Sequence, residues 1–281
     1  MKIAFSLNLA FTVIEFFGGW ISGSVAILSD AVHDLGDTAG LGLALVLERI
    51  AARSRPTARY TYGKHRWTLV GALVNALILV FGSALILREA VERLQSAAEP
   101  RGLWMLGFAC LGVAVNGYAA WRNSRGKTLN EKVISWHLLE DVIGWVAVLI
   151  GAVVLMQTNW TWIDPALAIA ISLFILFNVV RRLREVTATF LQAAPAEIDM
   201  DALKAELAEL PEVASIHDLH AWSLDGERHV VSCHAVLPAG AGTPEYSAAR
   251  GKLRDVLSRE FPGHVTVELE FDGEPCPERP A

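Results

Sequence analysis

Residues 24–47 read SVAILSDAVHDLGDTAGLGLALVL. The stretch is long enough to cross a bilayer, since ~20 apolar residues span the hydrocarbon core. Yet its middle carries Asp30, His33, Asp34 and Asp37. An ionisable group at bilayer depth costs roughly 2.5–3.5 kcal/mol on insertion scales, so such groups mark functional sites by default. Whether this segment is a span decides the fold.

The surrounding sequence favours a span. The 281 residues are 53% hydrophobic and only 19% charged, whereas soluble domains run near one quarter charged. From Pro195 onward there are 17 acidic and 7 basic residues, against 13 acidic and 17 basic before it, so two different solvents are implied. Apolar runs of spanning length recur at 3–21, 24–47, 67–90, 103–121, 133–155 and 162–180. The second and fifth hold the ionisable residues and are expected to score weakest on hydropathy. The connection after the second span holds Arg49, Arg53, Arg55, Arg59, Lys64 and Arg66. Arg122, Arg125, Lys127 and Lys132 follow the fourth, and Arg181, Arg182 and Arg184 follow the sixth. The connections near 22 and 158 have no Lys or Arg, and the one near 95 is balanced. Basic loops therefore alternate, which by the positive-inside rule puts both termini in the cytoplasm, consistent with a bacterial inner (plasma) membrane. One Lys precedes the first span and the next span follows at once, which speaks against a signal peptide.

After RRLREV the pattern changes. DMDALKAELAEL has helical spacing, VASIHDLHAWSL and HVVSCHAVL look like strands, EYSAARGKLRDVLSREF is an amphipathic helix, and HVTVELEF alternates as a strand does. The expected organisation is a six-helix transmembrane domain at 1–184, a linker at 185–194, and an α-β-β-α-β domain at 195–281 with a frayed end. Cys110, Cys233 and Cys276 are scattered with no CxxC pair, so neither a disulfide framework nor a thiolate zinc knuckle is indicated.

In a helix, residues four apart share a face with Cβ atoms ~5–6 Å apart. His33 and Asp37 form such a pair, and ISWHLLEDVIGW in the fifth span offers a second, His137 and Asp141. A single His-x-x-x-Asp in a soluble helix is usually a hydrogen bond. Two of identical spacing in predicted spans supply two imidazoles and two carboxylates, a tetrahedral set suited to Zn²⁺. Asp30, Asp34 and Glu140 lie close enough in spacing to compete as ligands, and are expected to support the imidazoles or to carry protons in a water-filled path. Glu15 is expected on the cavity wall, and Asn75 and Asn116 as interhelical hydrogen bonders.

At this point the residues resemble a family. SGSVAILSDAVHDLGD, TYGKHRWTLVGALVNA, HLLED, WIDPALA, FLQAAP and IHDLHAWSL follow in the order seen in the cation diffusion facilitator family of metal exporters, and cover nearly the whole chain. The resemblance implies a homodimeric Zn²⁺/H⁺ antiporter with a ferredoxin-like cytoplasmic domain. The HxxxD plus HxxxD set resembles its zinc-transporting branch, and His33, Asp37, His137 and Asp141 match the transport-site positions. Some relatives bind a second metal at the loop after the second span. Here YTYGKHR puts Tyr60 and Lys64 there, so that site is expected to be absent and His65 to be a surface or gating residue. In the tail, His217 and His234 match positions that bind metal in relatives, Glu270 offers an oxygen ligand, and Cys276 offers a thiolate from the end of the chain. A half-buried structural histidine is the alternative at His234. Zinc is thus expected as transported substrate and as a regulatory ion in the tail, with Cd²⁺ and Co²⁺ as further cargo because they accept similar ligands.

The sequence argues against other classes. HExxH is absent, and only three histidines precede residue 195, too few for the His-rich boxes of membrane di-iron oxidases. A passive channel would not be expected to carry tetrahedral half-sites that hold their ion. The reading is a secondary active transporter, not an enzyme, whose partners are Zn²⁺, protons, the lipid bilayer and a second copy of the chain, with no nucleic acid.

Overall fold

Six long helices precede any strand: α1 (Lys2–Ser22), α2 (Val25–Arg53), α3 (Trp67–Leu94), α4 (Gly102–Asn123), α5 (Leu129–Thr158) and α6 (Ile163–Phe190). The computed structural model describes the backbone of residues 2–53, 55–96, 99–123, 129–261 and 263–278, with their side chains except at 2–4, 7, 44, 48, 51–53, 123 and 129–137. Among the described residues, four helices are long and apolar enough to cross a membrane: Trp67–Leu94, Gly102–Arg122, Leu138–Thr158 and Ile163–Phe190. Helix α2 falls short, because Asp30, His33, Asp34 and Asp37 interrupt its apolar run. The fifth run does not score weakest. Its described part reaches a mean hydropathy of 2.2, because Glu140 and Asp141 sit near one end and the remainder is uniformly apolar.

The chain divides into two units, one of residues 1–47 and 71–183, the other of 48–70 and 184–281. In the first, close approach of helices rests on small residues, as expected where lipid supplies no hydrophobic drive between them. A Cβ at Gly112 on α4 would stand 2.1 Å from Trp145 Cδ2 on α5, so the buried indole lies flat against bare backbone. Gly36 on α2 admits Leu79 of α3 in the same way. Polar ties join α2 to its neighbours. The Asn8 side-chain amide of α1 donates to Thr38 Oγ1 at 2.8 Å. The hydroxyls of Ser29 on α2 and Ser172 on α6 are 3.0 Å apart. Asn116, expected between helices, instead donates to Gly112 O one turn back at 3.2 Å, and Asn75 lies against Gly40.

The second unit holds α7 (Met200–Ala208), β1 (Ser215–Ser223), β2 (His229–Val236), α8 (Thr243–Glu260) and β3 (Gly263–Glu270), the α-β-β-α-β order expected of the tail. Helix α6 runs on to Phe190, so six of the ten residues expected as linker are helical; Arg and Glu beyond the apolar run are good helix formers. Asp199 caps α7 by accepting from the N–H groups of Asp201 and Ala202, each at 3.1 Å. The sheet order is β1-β2-β3, with β1 antiparallel and β3 parallel to β2. Leu203 and Leu207 of α7 and Leu253 and Leu257 of α8 share a core with Val231, Cys233 and Ala235 of β2. Side chains alternate along a strand, so Ser232 and His234 point to the other face of the sheet.

Candidate metal sites

In the first unit, one turn of α2 presents His33 and Asp37, with His33 Nε2 3.7 Å from Asp37 Oδ2. From α5, Asp141 Oδ1 stands 3.9 Å from the same imidazole nitrogen. All three side chains are largely shielded, at 23%, 19% and 10% exposure. Ligands ~2.0 Å from a tetrahedral Zn²⁺ stand about 3.3 Å apart. The separations of Asp37 and Asp141 from His33 each exceed that by about half an ångström. His137, the fourth expected ligand, belongs to α5, but its side chain lies outside the described residues. A cavity of about 380 Å³ reaches the cluster, and Asp30, His33, Glu140, Asp141, Asn178 and Arg182 are among its lining residues.

Two further carboxylates on α2 are almost fully buried, Asp30 and Asp34 at 6% exposure each. Asp30 Oδ1 faces Gly144 of α5, where any side chain would approach it. Glu15 is 1% exposed. It is buried on α1 within electrostatic reach of Asp30, Asp34 and Asp141.

The start of α2 is fixed from another helix. Asp164 of α6, 1% exposed, accepts from the N–H of Val25 at 2.8 Å and of Ala26 at 3.3 Å, and from the Ser24 hydroxyl. Ser24 Oγ in turn accepts from the Ile27 N–H at 3.2 Å. The first three N–H groups of α2, which a helix leaves without intrahelical partners, are thereby satisfied. The sequence marks Asp164 only as the start of a span; its link to a helix about 140 residues away is a tertiary fact.

In the second unit, strand register builds another cluster. His217 on β1 pairs directly with His234 on β2. Directly paired residues of antiparallel strands share a face, and Glu270 lies two residues beyond Glu268, the β3 partner of His234, on that face. A bulge follows His217, with Asp218 at φ 49°. Glu270 Oε1 is 3.1 Å from His217 Nε2 and 2.9 Å from His234 Nδ1. Cys276 closes the set, its Sγ 3.5 Å from each of those nitrogens. One ligand atom from each of the four lies within 4.8 Å of the others. The contact with Glu270 pushes the Cys276 thiol up to about 11. Cys233 points to the core, where burial pushes its thiol up to about 11. The remaining tail histidines stand apart: His229 is buried beside Glu197, His220 is exposed beside Asp218, and His264 lies against the Tyr62 ring.

Comparison with known proteins places this architecture. The model of the cation efflux transmembrane domain matches residues 1–191, and that of the cation efflux protein cytoplasmic domain matches 195–272. The zinc transporter ZitB of Yersinia pseudotuberculosis is 37% identical over 96% of this chain and 87% of its own. The metal cation efflux system protein CzcD of Cupriavidus metallidurans is 34% identical over 98% and 87%. A cadmium, cobalt and zinc/H(+)-K(+) antiporter of Bacillus velezensis is 28% identical over 96% and 87%. The protein is therefore an integral membrane transporter of metal cations and not an enzyme. It belongs to the cation diffusion facilitator family, in the zinc-transporting branch.

Proposed function

We propose that the protein exports Zn²⁺, with Cd²⁺ and Co²⁺ as further cargo, in exchange for protons, through a tetrahedral site of His33, Asp37, His137 and Asp141. The convergence of His33, Asp37 and Asp141 from two helices is the observation that carries this reading. The matched spacing of His137 and Asp141 on α5 supplies the fourth ligand. Two carboxylates facing a divalent cation cancel its charge, which removes most of the cost of holding either in the membrane.

Metal binding needs ionised carboxylates and neutral imidazoles, so it releases protons. Protons arriving from the opposite side displace the metal, with His33 and His137 as the carriers. One set of groups then serves both ions by alternating access. The antiporter named among the relatives is consistent with such exchange. On this reading all six long helices cross a bacterial inner membrane, both termini are cytoplasmic, and the domains fall at 1–184 and 195–281. The tail is a ferredoxin-like domain through which two copies associate. His217, His234 and Glu270, with Cys276, hold a regulatory Zn²⁺ there. Bringing two imidazoles and a carboxylate to one point would suit a hydrogen-bonded trio, but the added thiol favours a metal.

Uptake by proteoliposomes under an imposed proton gradient tests the transport site. Asp37→Ala and Asp141→Ala are expected to reduce Zn²⁺ uptake to the protein-free background, with elution on size exclusion unchanged. Retained uptake in either removes that residue from the pathway, and uptake indifferent to the gradient removes proton coupling.

A further inference from the structure

The connection between α2 and α3 forms a basic cavity that metal transport leaves unused. Arg59, Lys64, His65 and Arg66 line a space of about 370 Å³, and no carboxylate is among its described lining residues. The Arg59 guanidinium and the Lys64 ammonium stand 5.8 Å and 5.7 Å from the centre of the Tyr60 ring. Two cations thus stand against one aromatic ring. Each gains roughly 0.5–1 kcal/mol from the ring at an exposed site. From the turn after β1, Asp225 Oδ2 lies 3.8 Å from His65 Nδ1, and Arg228 abuts the same imidazole. That carboxylate also accepts from the Arg228 backbone N–H at 2.8 Å, and among the described residues no ion pair engages Arg59 or Arg66. An anion in the cavity meets the Arg59 and Arg66 guanidinium groups among its lining residues.

The walls indicate how that anion is carried. Tyr62, Trp67 and Trp222 are aromatic lining residues, and Tyr and Trp favour the depth of lipid headgroups. Trp67 is also the first residue of α3, a 28-residue helix with a stretch of mean hydropathy 2.4. The cavity therefore adjoins the end of a span, where phospholipid phosphates lie. Arg pairs with phosphate through two parallel N–H donors, which a carboxylate-free pocket leaves available.

We propose that this cavity is a binding site for a phosphate-bearing anion, presented as the headgroup of an anionic phospholipid. Native mass spectrometry of the full-length protein tests it, with phosphatidylglycerol, phosphatidylcholine and inorganic phosphate as probes. Phosphatidylglycerol is expected to remain bound where phosphatidylcholine is lost. Arg59→Gln and Arg66→Gln should each weaken its retention about fivefold, the scale of one basic residue at an anionic surface. Arg122→Gln, in a different basic loop, should leave retention unchanged and so controls for general attraction. Equal retention of the two lipids, or an equal loss in Arg122→Gln, overturns the site. Displacement of phosphatidylglycerol by equimolar inorganic phosphate overturns the lipid as the source of the anion.

Discussion

Replacing Asp164 tests whether α2 is held in place from α6. The carboxyl accepts two backbone N–H groups and one hydroxyl while only 1% exposed. An N-cap side chain is worth about 0.5–2 kcal/mol, and each buried donor left unsatisfied costs ~1–3 kcal/mol. Asp164→Ala leaves the Val25 and Ala26 N–H groups and the Ser24 hydroxyl without this acceptor. The summed cost is on the order of 3–5 kcal/mol after relaxation of the helix start. For a chain of this size that lowers the midpoint of thermal unfolding on the order of 10 °C. Asp164→Asn keeps one acceptor but turns an NH₂ toward a donor, so about 1–3 kcal/mol is expected. Ser24→Ala should be mildest in itself and non-additive with Asp164→Asn, since the two share a hydrogen bond. Thermal unfolding of detergent-solubilised protein, followed by tryptophan fluorescence, gives each value. His33 lies eight residues beyond Val25, about 12 Å along the axis, so fraying of the first turn should also lower Zn²⁺ uptake per folded molecule. An Asp164→Ala variant that melts within about 2 °C of wild type would refute the cap as a source of stability.

Three other outcomes follow from named contacts. His33→Asp exchanges an imidazole for a harder oxygen donor, so competition assays in proteoliposomes should show a weaker preference for Zn²⁺ over other divalent ions; an unchanged preference would mean that His33 does not select. Cys276→Ser should abolish the near-ultraviolet thiolate-to-metal band of the Co²⁺-loaded protein and weaken tail Zn²⁺ binding on the order of tenfold, the equivalent of ~1.4 kcal/mol. A band that survives the substitution assigns the thiolate elsewhere. Gly112→Ala puts a methyl 2.1 Å from the Trp145 ring, and overpacking of this kind typically costs about 1–3 kcal/mol, to be read as a lower melting temperature than that of Gly117→Ala, where nothing lies within 4 Å.

What the sequence could and could not reveal follows from the range of each interaction. Helices α1–α6 were legible as long, mostly apolar runs, but their ends were not, since α6 continues through charged residues that hydropathy does not count. His33 and Asp37 were legible as a pair because four residues is a local spacing. Asp141 joined them only through the coincidence of a second pair with that spacing, and the structure sets it 3.9 Å from His33. The tail strands were legible by alternation, and β-register then explains why His217, His234 and Glu270 share one face. The bulge at Asp218 was not, because its left-handed backbone there is not signalled by any glycine. Asp164 shows the limit most clearly. Its side chain serves the first turn of a helix in another part of the chain, and no local pattern distinguishes that duty from an ordinary Asp before Pro at a helix start. The same reasoning explains why candidate ligands are easier to name than what would hold them. Coordination demands particular residue types, whereas positioning demands only a well-placed acceptor, which many sequences can supply. The proposed transport site should therefore be more sensitive to Asp164 than its distance from the candidate ligands suggests, since the helix carrying His33 and Asp37 starts at that carboxyl.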